Sequence, residues 1–309
     1  MPIGGKMKKV LVTGGTVFVS RYIAEYYVKK NYDVYVLNRN TRQQSKGVHL
    51  IKADRNDLKD VLKEHHFDVV FDITSYNAND IDNLLDALKS FSSYIFISSS
   101  AVYPEYLPLP FKEDMPIGEN KIWGLYGKGK VEAEKALLLR VPDAFIIRPP
   151  YLYGPMNNVY REAFVFDCAI KGRKFFLPQD GNLKLQFFYI DDLCLFMDAL
   201  IENQPVQRIY NVGNEETITV REWVKLCYKV ANQKCEFENV YLDINQRNYF
   251  PFYNYEYYLD VSKQKELLPK TKKLEDGLKE SFAWYLSSGD EVNRKEYIDF
   301  IDKNLIKRR

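Results

Sequence analysis

The sequence predicts an α/β fold, a doubly wound parallel sheet followed by a smaller C-terminal α/β domain. Three observations carry this expectation. Short apolar runs alternate with segments of helical length from Lys9 onward, the pattern of βαβ units. The apolar runs are nearly continuous, as strands are when both sheet faces are covered. The chain has 309 residues, more than one core usually fills, since cores stop growing near about 250–300 residues. A first domain is expected over 7–175, with a return segment near 185–212, and a second mainly over 176–309.

The elements run in order along the chain. KVLVTGG, from Lys9, reads as a strand that its two glycines end in a turn. Arg21 to Lys30 has helical length, and DVYVLN (33–38) is the second strand. Val48 to Ala53 is the third strand, Asp57 to His66 a charged helix and DVVFDIT (68–74) the fourth strand. The helix IDNLLDALKSF (81–91) then leads into the strand YIFISSS (94–100). The 20 residues AVYPEYLPLPFKEDMPIGEN (101–120) form a Pro-bearing loop, too long for a passive connection and of the kind that carries sites. A helix from Leu125 to Arg140 and the strand AFIIRP (144–149) come next, then helices at Glu162 to Lys171, Asp191 to Glu202 and Thr219 to Ala231. The segment Asn248 to Tyr258, NYFPFYNYEYY, is aromatic; it fits an aromatic core better than a wall against a ligand.

Composition excludes several classes. The 44 Lys+Arg against 42 Asp+Glu, with 46% hydrophobic residues, rule out a disordered chain and a surface dominated by one sign of charge. That balance argues against nucleic acid as the main partner, since backbone binding needs clustered cations. Cys168, Cys194, Cys227 and Cys235 contain no CxxC pair, and His49, His65 and His66 lie in a polar loop and at a helix end. No metal site and no disulfide framework is expected. No apolar run approaches the roughly 20 residues of a membrane span, and a reduced cytoplasmic setting is the economical expectation. Met7 reads as an alternative start, with residues 1–6 an added remnant.

TGGTVFVS joins the first strand to the first helix. There Gly14 and Gly15 would let backbone N–H groups and a helix N-terminus approach a pyrophosphate, although Val17 and Ser20 stand where dinucleotide fingerprints prefer glycine. The second strand ends LNRNTR, with Asn38 in the place of the acidic residue that commonly meets the ribose. Arg39 and Arg42 come after it, and cations without a carboxylate suit a 2′-phosphate. NADP is therefore expected over NAD. Asp54, at the end of the third strand, is placed to reach the adenine.

A Tyr and a Lys at i and i+4 share a helix face, where the ammonium lowers the phenol pKa and the phenol moves a proton. With 24 Tyr and 30 Lys, about two such pairs arise by chance, and two are present. Position separates them. Tyr26 and Lys30 lie on the first helix, where no chemistry is needed, whereas Tyr126 and Lys130 come after the long loop. The strand before that loop ends in Ser98, Ser99 and Ser100, on the side of the sheet where ligands bind.

TGGTVFVS, Asp54, ISSSAVYP, YGKGK, IRPPYLYGP, FYIDDL, YNVGN and LDVSK occur in order from Lys9 to about Tyr285. As a set they resemble the extended short-chain dehydrogenase/reductase family, the NAD(P)-dependent epimerases and dehydratases of nucleotide sugars. TGGTxF, VLNR and ADRND most resemble the branch that includes chloroplast stem-loop-binding proteins. The resemblance implies a Rossmann-type first domain and a substrate-binding second one. It implies Tyr126 as acid/base, Lys130 as its partner, and Ser99, three residues before Val102, as the hydroxyl site. It places the cofactor against Gly14, Gly15, Thr16, Phe18, Val19, Asn38, Arg39, Arg42, Asp54, Arg55, Ile73, Thr74 and Pro150. Tyr76, Tyr103, Arg161 and Arg247 become candidate substrate contacts. One departure bears on substrate. Many members carry a diphosphate-clamping arginine shortly before the segment matching FYIDDL, where this chain has Leu185; Arg161, Arg173 or Arg247 are the candidates to replace it.

The resemblance implies hydride transfer on a sugar or nucleotide sugar, with a homodimer contact through the helices near 80–91 and 125–140. Two other readings stand beside it: an NADPH-dependent reductase of a small carbonyl compound, and a non-catalytic NAD(P)- or RNA-binding protein on the same fold.

Overall fold

The computed structural model describes residues 7–306; the reading of residues 1–6 as an added remnant lies outside the described residues. Strand β1 (Lys9–Thr13) leads to helix α1 (Phe18–Lys29), followed by β2 (Asp33–Asn38), β3 (His49–Lys52) and β4 (His66–Asp72). Helix α2 (Ala78–Ala87), β5 (Ser90–Ile97), α3 (Gly124–Arg140) and β6 (Phe145–Arg148) come next. Then come β7 (Tyr151–Tyr153), α4 (Glu162–Ile170), β8 (Phe175–Pro178), β9 (Lys184–Leu185), β10 (Phe187–Tyr189), α5 (Ile190–Asn203) and β11 (Ile209–Asn211). The chain continues through β12 (Ile218–Thr219), α6 (Val220–Val230), β13 (Phe237–Val240), α7 (Ser262–Leu267), α8 (Leu274–Ser288) and α9 (Tyr297–Ile301).

Two compact units result. The first takes the chain up to Pro150, Ile190–Val212 and Leu259–Lys270; the second takes Tyr151–Tyr189, Gly213–Tyr258 and the chain from Thr271. The position expected as a boundary, 175, falls at the first residue of β8, inside the second unit. The reason is packing. Phe164, Val165, Phe166 and Ala169 of α4 belong to one core with Trp223 and Val224 of α6 and Leu278 of α8, so α4 cannot be separated from α6 and α8.

The first unit is a seven-stranded parallel sheet in the order β11-β6-β5-β4-β1-β2-β3. Leu11 of β1 sits between Tyr35 of β2 and Val70 of β4. Strand order therefore reverses beside β1, and the crevice beyond the carboxyl ends of β1 and β4 is where such sheets take ligands. Leu11, Val70, Phe96 and Ile146 of the sheet pack with Leu84 of α2 and Ala133 and Leu137 of α3. The first Tyr/Lys pair has a structural task. The Tyr26 hydroxyl and Lys30 Nζ both donate to Asp198 of α5, at 2.5 and 2.6 Å, and so dock α1 on α5.

Two expected helices differ. Residues 57–65 form successive turns with bonds from Val61 N to Leu58 O, Lys63 N to Asp60 O and His65 N to Leu62 O. Lys59 adopts φ +46°, a left-handed conformation that interrupts helix, while Leu58 and Leu62 are buried. Helix α2 starts at Ala78 behind an Asn77 cap that accepts from Asp80 N, and ends before Ser90, where β5 begins.

The second unit holds three two-stranded pairings, β10-β7, β12-β9 and β13-β8, none of them assigned from sequence because each strand has only two to four residues. The aromatic stretch is mostly core. Tyr249, Phe250, Phe252 and Tyr257 are buried, and Phe252 meets Trp223 at 5.2 Å. Among the described residues no helix is long and apolar enough to cross a membrane.

Candidate active site

The turn after β1 is built on Gly14 and Gly15, both at φ +93°, where side chains are strained. A Cβ on Gly14 would lie 2.8 Å from Ser20 Oγ, and one on Gly15 would lie 2.5 Å from Val36 Cγ1. Ser20 thus fills the place of the third fingerprint glycine, buried, with its hydroxyl donating to Val17 O at 3.0 Å. Phe18 opens α1 at φ +30° and is buried, a conformation that costs of order 1–3 kcal/mol and clusters at functional sites. Val17 supplies no side-chain cap and the first turn holds no acid, so the N–H groups of this helix end stay open to an anion.

Beside the turn lies a cleft of about 360 Å³ lined by Gly14, Asn38, Arg39, Asp54, Arg55, Thr74, Tyr76 and Asp80 among others. Of the expected cofactor residues, Gly15, Thr16, Phe18, Val19, Arg42, Ile73 and Pro150 are not part of its lining. Arg42 is exposed and Pro150 is buried. The cleft floor rests on Asp72, fully buried at the end of β4. Its carboxylate accepts from Thr13 Oγ1 at 2.9 Å, Tyr94 OH at 2.7 Å, Arg55 Nη2 at 3.1 Å and the Ser75 hydroxyl. Thr13 Oγ1 in turn accepts the amides of Ile73 and Thr74 at 2.9 and 3.1 Å. Arg55 is therefore committed to Asp72 and to Ser75 Oγ at 2.9 Å, which makes it a brace of the cleft. Asn38 Nδ2 donates to Gly14 O at 2.7 Å, and its Oδ1 accepts from Asn40 N and Gln44 Nε2, so the acid's place is filled by a carboxamide that ties β2 to the glycine turn.

The strand β5 ends at the serines. Ser98 and Ser100 are buried; Ser99 is half-buried and its Oγ accepts from Ala101 N at 3.1 Å. Tyr126 and Lys130 occupy successive turns of α3. The tyrosine is 42% exposed, with its ring centroid 6.4 Å from that of Tyr76. Lys130 is 2% exposed, and its Nζ donates to Ser75 O and Ile97 O, each at 2.8 Å. Burial pushes the ammonium pKa down to about 8, against the upward pull of Asp72, Glu134 and Asp80, with Arg55 adding to the fall.

Glycines between the two residues allow this approach. A Cβ on Gly127 would lie 2.6 Å from Ala101 O, and one on Gly129 only 2.2 Å from Tyr76 O. Gly129→Ala is accordingly expected to destabilise the protein by about 1–3 kcal/mol through overpacking, although Ala is the better helix former by about 1 kcal/mol. Urea denaturation checks this; a neutral or stabilising result would contradict the tight contact.

Beneath the serines, Arg148 and Glu134 form a bidentate pair, Nη2 to Oε2 at 2.6 Å and Nε to Oε1 at 3.0 Å, with both side chains buried. Ser98 Oγ donates to Glu134 Oε1 at 2.5 Å, and Arg148 Nη1 donates to Tyr103 OH at 2.8 Å. Tyr103 is a correction. It is fully enclosed, donates to Asn211 Oδ1 at 2.8 Å and stacks on Phe111, so it braces the long loop and has no surface for substrate. Asn120, buried, holds the other end of that loop through Tyr103 O at 2.8 Å. Thr13, Asp72, Ser75, Glu134 and Arg148 escaped the sequence reading. Only Glu134 left a signal there, four residues after Lys130, while the two helix-interior glycines of YGKGK marked a close approach.

In the second unit Leu185 is buried among apolar side chains, and Arg173 is held by Asp302. Arg161 lies over the Tyr151 ring at 5.5 Å and Arg247 over the Tyr253 ring at 4.6 Å. Each has one enclosed guanidinium nitrogen without an acceptor, Nε of Arg161 and Nη1 of Arg247. Both influence Tyr151, whose hydroxyl burial pushes up to about 12 while Tyr257, Arg161 and Arg247 oppose that rise.

The model of the NAD dependent epimerase/dehydratase family matches residues 10–213. The chain is 28% identical to the chloroplast stem-loop binding protein of 41 kDa b of Arabidopsis thaliana, over 97% of this chain and 84% of that protein. It is 25% identical to a UDP-N-acetyl-alpha-D-glucosaminuronate decarboxylase of Bacillus cytotoxicus, over 90% of this chain and 98% of that one. It shares its fold with the UDP-glucose 4-epimerase of Thermotoga maritima solved with UDP-glucose, at a TM-score of 0.75 and 19% identity over 91% of this chain and 99% of that one. The matched residues contain the glycine turn, the cleft and the Tyr126–Lys130 pair, and the chain belongs to the NAD dependent epimerase/dehydratase family, of the extended short-chain dehydrogenase/reductase type.

Proposed function

We propose that the protein is an NAD(P)-dependent enzyme acting on a sugar or nucleotide sugar. The carrying observation is the buried Lys130 ammonium, one helical turn after Tyr126 and anchored on Ser75 O and Ile97 O, at the carboxyl ends of the strands that form the cleft. The residues present fit a dinucleotide, because the Gly14–Gly15 turn leaves no room for a Cβ and the α1 N-terminus is uncapped. Asn38, Arg39 and Asp54 line the cleft for its adenosine half. A carboxamide in the acid's place, followed by a cation, favours NADP over NAD.

A bound nicotinamide supplies a hydride acceptor and donor. Tyr126 takes the proton of the substrate hydroxyl, Ser99 hydrogen-bonds the same oxygen, and Lys130 keeps the phenol acidic. With the cofactor held at the Gly14–Gly15 turn, this residue set would serve either inversion at a sugar carbon or reduction of a carbonyl, the Tyr126 hydroxyl handling the proton in both. Within the second unit, where Leu185 stands in an arginine's place, Arg161 and Arg247 are the candidate phosphate ligands, since their enclosed N–H groups lack acceptors. Tyr76 lines the cleft and is a further contact.

Native mass spectrometry with NAD and NADP tests the cofactor, and NMR of the bound form with UDP-glucose or UDP-glucuronate tests the chemistry. Retention of a dinucleotide with conversion at a sugar carbon is expected; absence of dinucleotide binding would overturn the proposal. The similarity to a stem-loop binding protein favours one second reading, RNA binding without turnover, which predicts salt-sensitive binding.

A further inference from the structure

We infer that Tyr76 is a positioning residue whose ring shields the Lys130 ammonium from the water of the cleft. The inference rests on the proposed role of Lys130 beside Tyr126. An ammonium has three N–H donors, and carbonyls of Ser75 and Ile97 take two of them. What remains is walled by two rings, Phe96 at 4.6 Å and Tyr76 at 5.1 Å from Nζ. The two walls differ. Phe96 is fully buried in the core, whereas Tyr76 is 52% exposed and lines the cleft.

The Tyr76 backbone is fixed on both sides. Its N–H donates to Asp80 Oδ2 at 2.7 Å, and its carbonyl lies against Gly129 of α3. Only the ring is then free to be removed without moving α3, and its loss opens the path from the cleft to Nζ. The charged groups acting on Lys130 are Asp72 at the end of β4, Arg55 after β3, Asp80 on α2 and Glu134 on α3; Tyr126 lies one turn before it on α3. Three carboxylates against one guanidinium favour the ammonium, so burial is what holds its pKa near 8. Admitting water removes that burial and leaves the carboxylates, which moves the group toward its ordinary value of about 10.4.

The test follows the 13Cε signal of Lys130 by NMR in lysine-labelled protein without cofactor or substrate, with the signal assigned by its loss in Lys130→Arg. In the wild type and in Tyr76→Phe, which keeps the ring, the midpoint is expected at about 8. In Tyr76→Ala and in Tyr76→Gln it is expected to rise by about one pH unit or more, a tenfold change in proton affinity. Two small variants keep the test open if one of them folds poorly. A wild-type midpoint near 10.4, or an unchanged midpoint in whichever small variant folds, would overturn the inference. Failure to turn over a nucleotide sugar bears on the proposed function and leaves this titration untouched.

Discussion

Replacing Tyr126 with Phe is expected to lower turnover by about 10²–10⁴-fold, the usual contribution of a positioned acid/base group. Cofactor binding stays near the wild-type value. The separation follows from position: Tyr126 is 42% exposed, so loss of its hydroxyl empties no core site, and it is not part of the cleft lining. Single-turnover rates on a nucleotide sugar, paired with dinucleotide titration by fluorescence, measure the two effects independently. A variant within tenfold of wild type would remove Tyr126 from the mechanism. The wild-type rate carries a pH signature as well. Burial lowers the Lys130 pKa to about 8, so its charge is complete well below that pH and is lost as pH rises through it. The alkaline limb of turnover therefore falls near pH 8, earlier than an ordinary lysine would give.

Glu134→Ala is expected to cost about 3–5 kcal/mol of stability, the range for removing one partner of a buried ion pair. Arg148 would keep a buried charge with no carboxylate, and Ser98 would lose its acceptor. Urea denaturation should show a lower midpoint, and a loss below about 1 kcal/mol would mean that water reaches Arg148. The consequence for chemistry is indirect. Glu134 sits one turn after Lys130 and grips the strand end that carries Ser99, so a partly folded variant should also bind the cofactor less tightly.

Much of the cleft was legible because glycine and charge leave marks that do not depend on distant residues. Gly14 and Gly15 announce a backbone conformation that side chains strain, and Asn38 and Arg39 stand at the end of β2 where the structure finds the lining of the cleft. The turns at 57–65 were not legible: their Leu58 and Leu62 have helical spacing, and the φ of Lys59 and the i→i+3 bonds that separate turn from helix leave no mark in the sequence. Tyr103 was misplaced for a related reason. A tyrosine in the long loop is a candidate substrate contact by resemblance until Arg148, 45 positions away, is found on its hydroxyl.

The sequence by itself determined the parallel βαβ order and the glycine turn, since each follows from periodicity or local backbone freedom, and position along the chain offered Tyr126 over Tyr26 as the candidate acid/base. Tertiary structure alone decided which polar groups act as braces. Asp72, Glu134 and Arg148 are ordinary charges in the sequence and Arg55 a candidate cofactor contact, and they become one framework, buried at Asp72, Glu134 and Arg148, only when β4, β6, α3 and the turn after β3 meet and exclude water. The same exclusion lowers the pKa of Lys130, a property that no spacing of residues encodes.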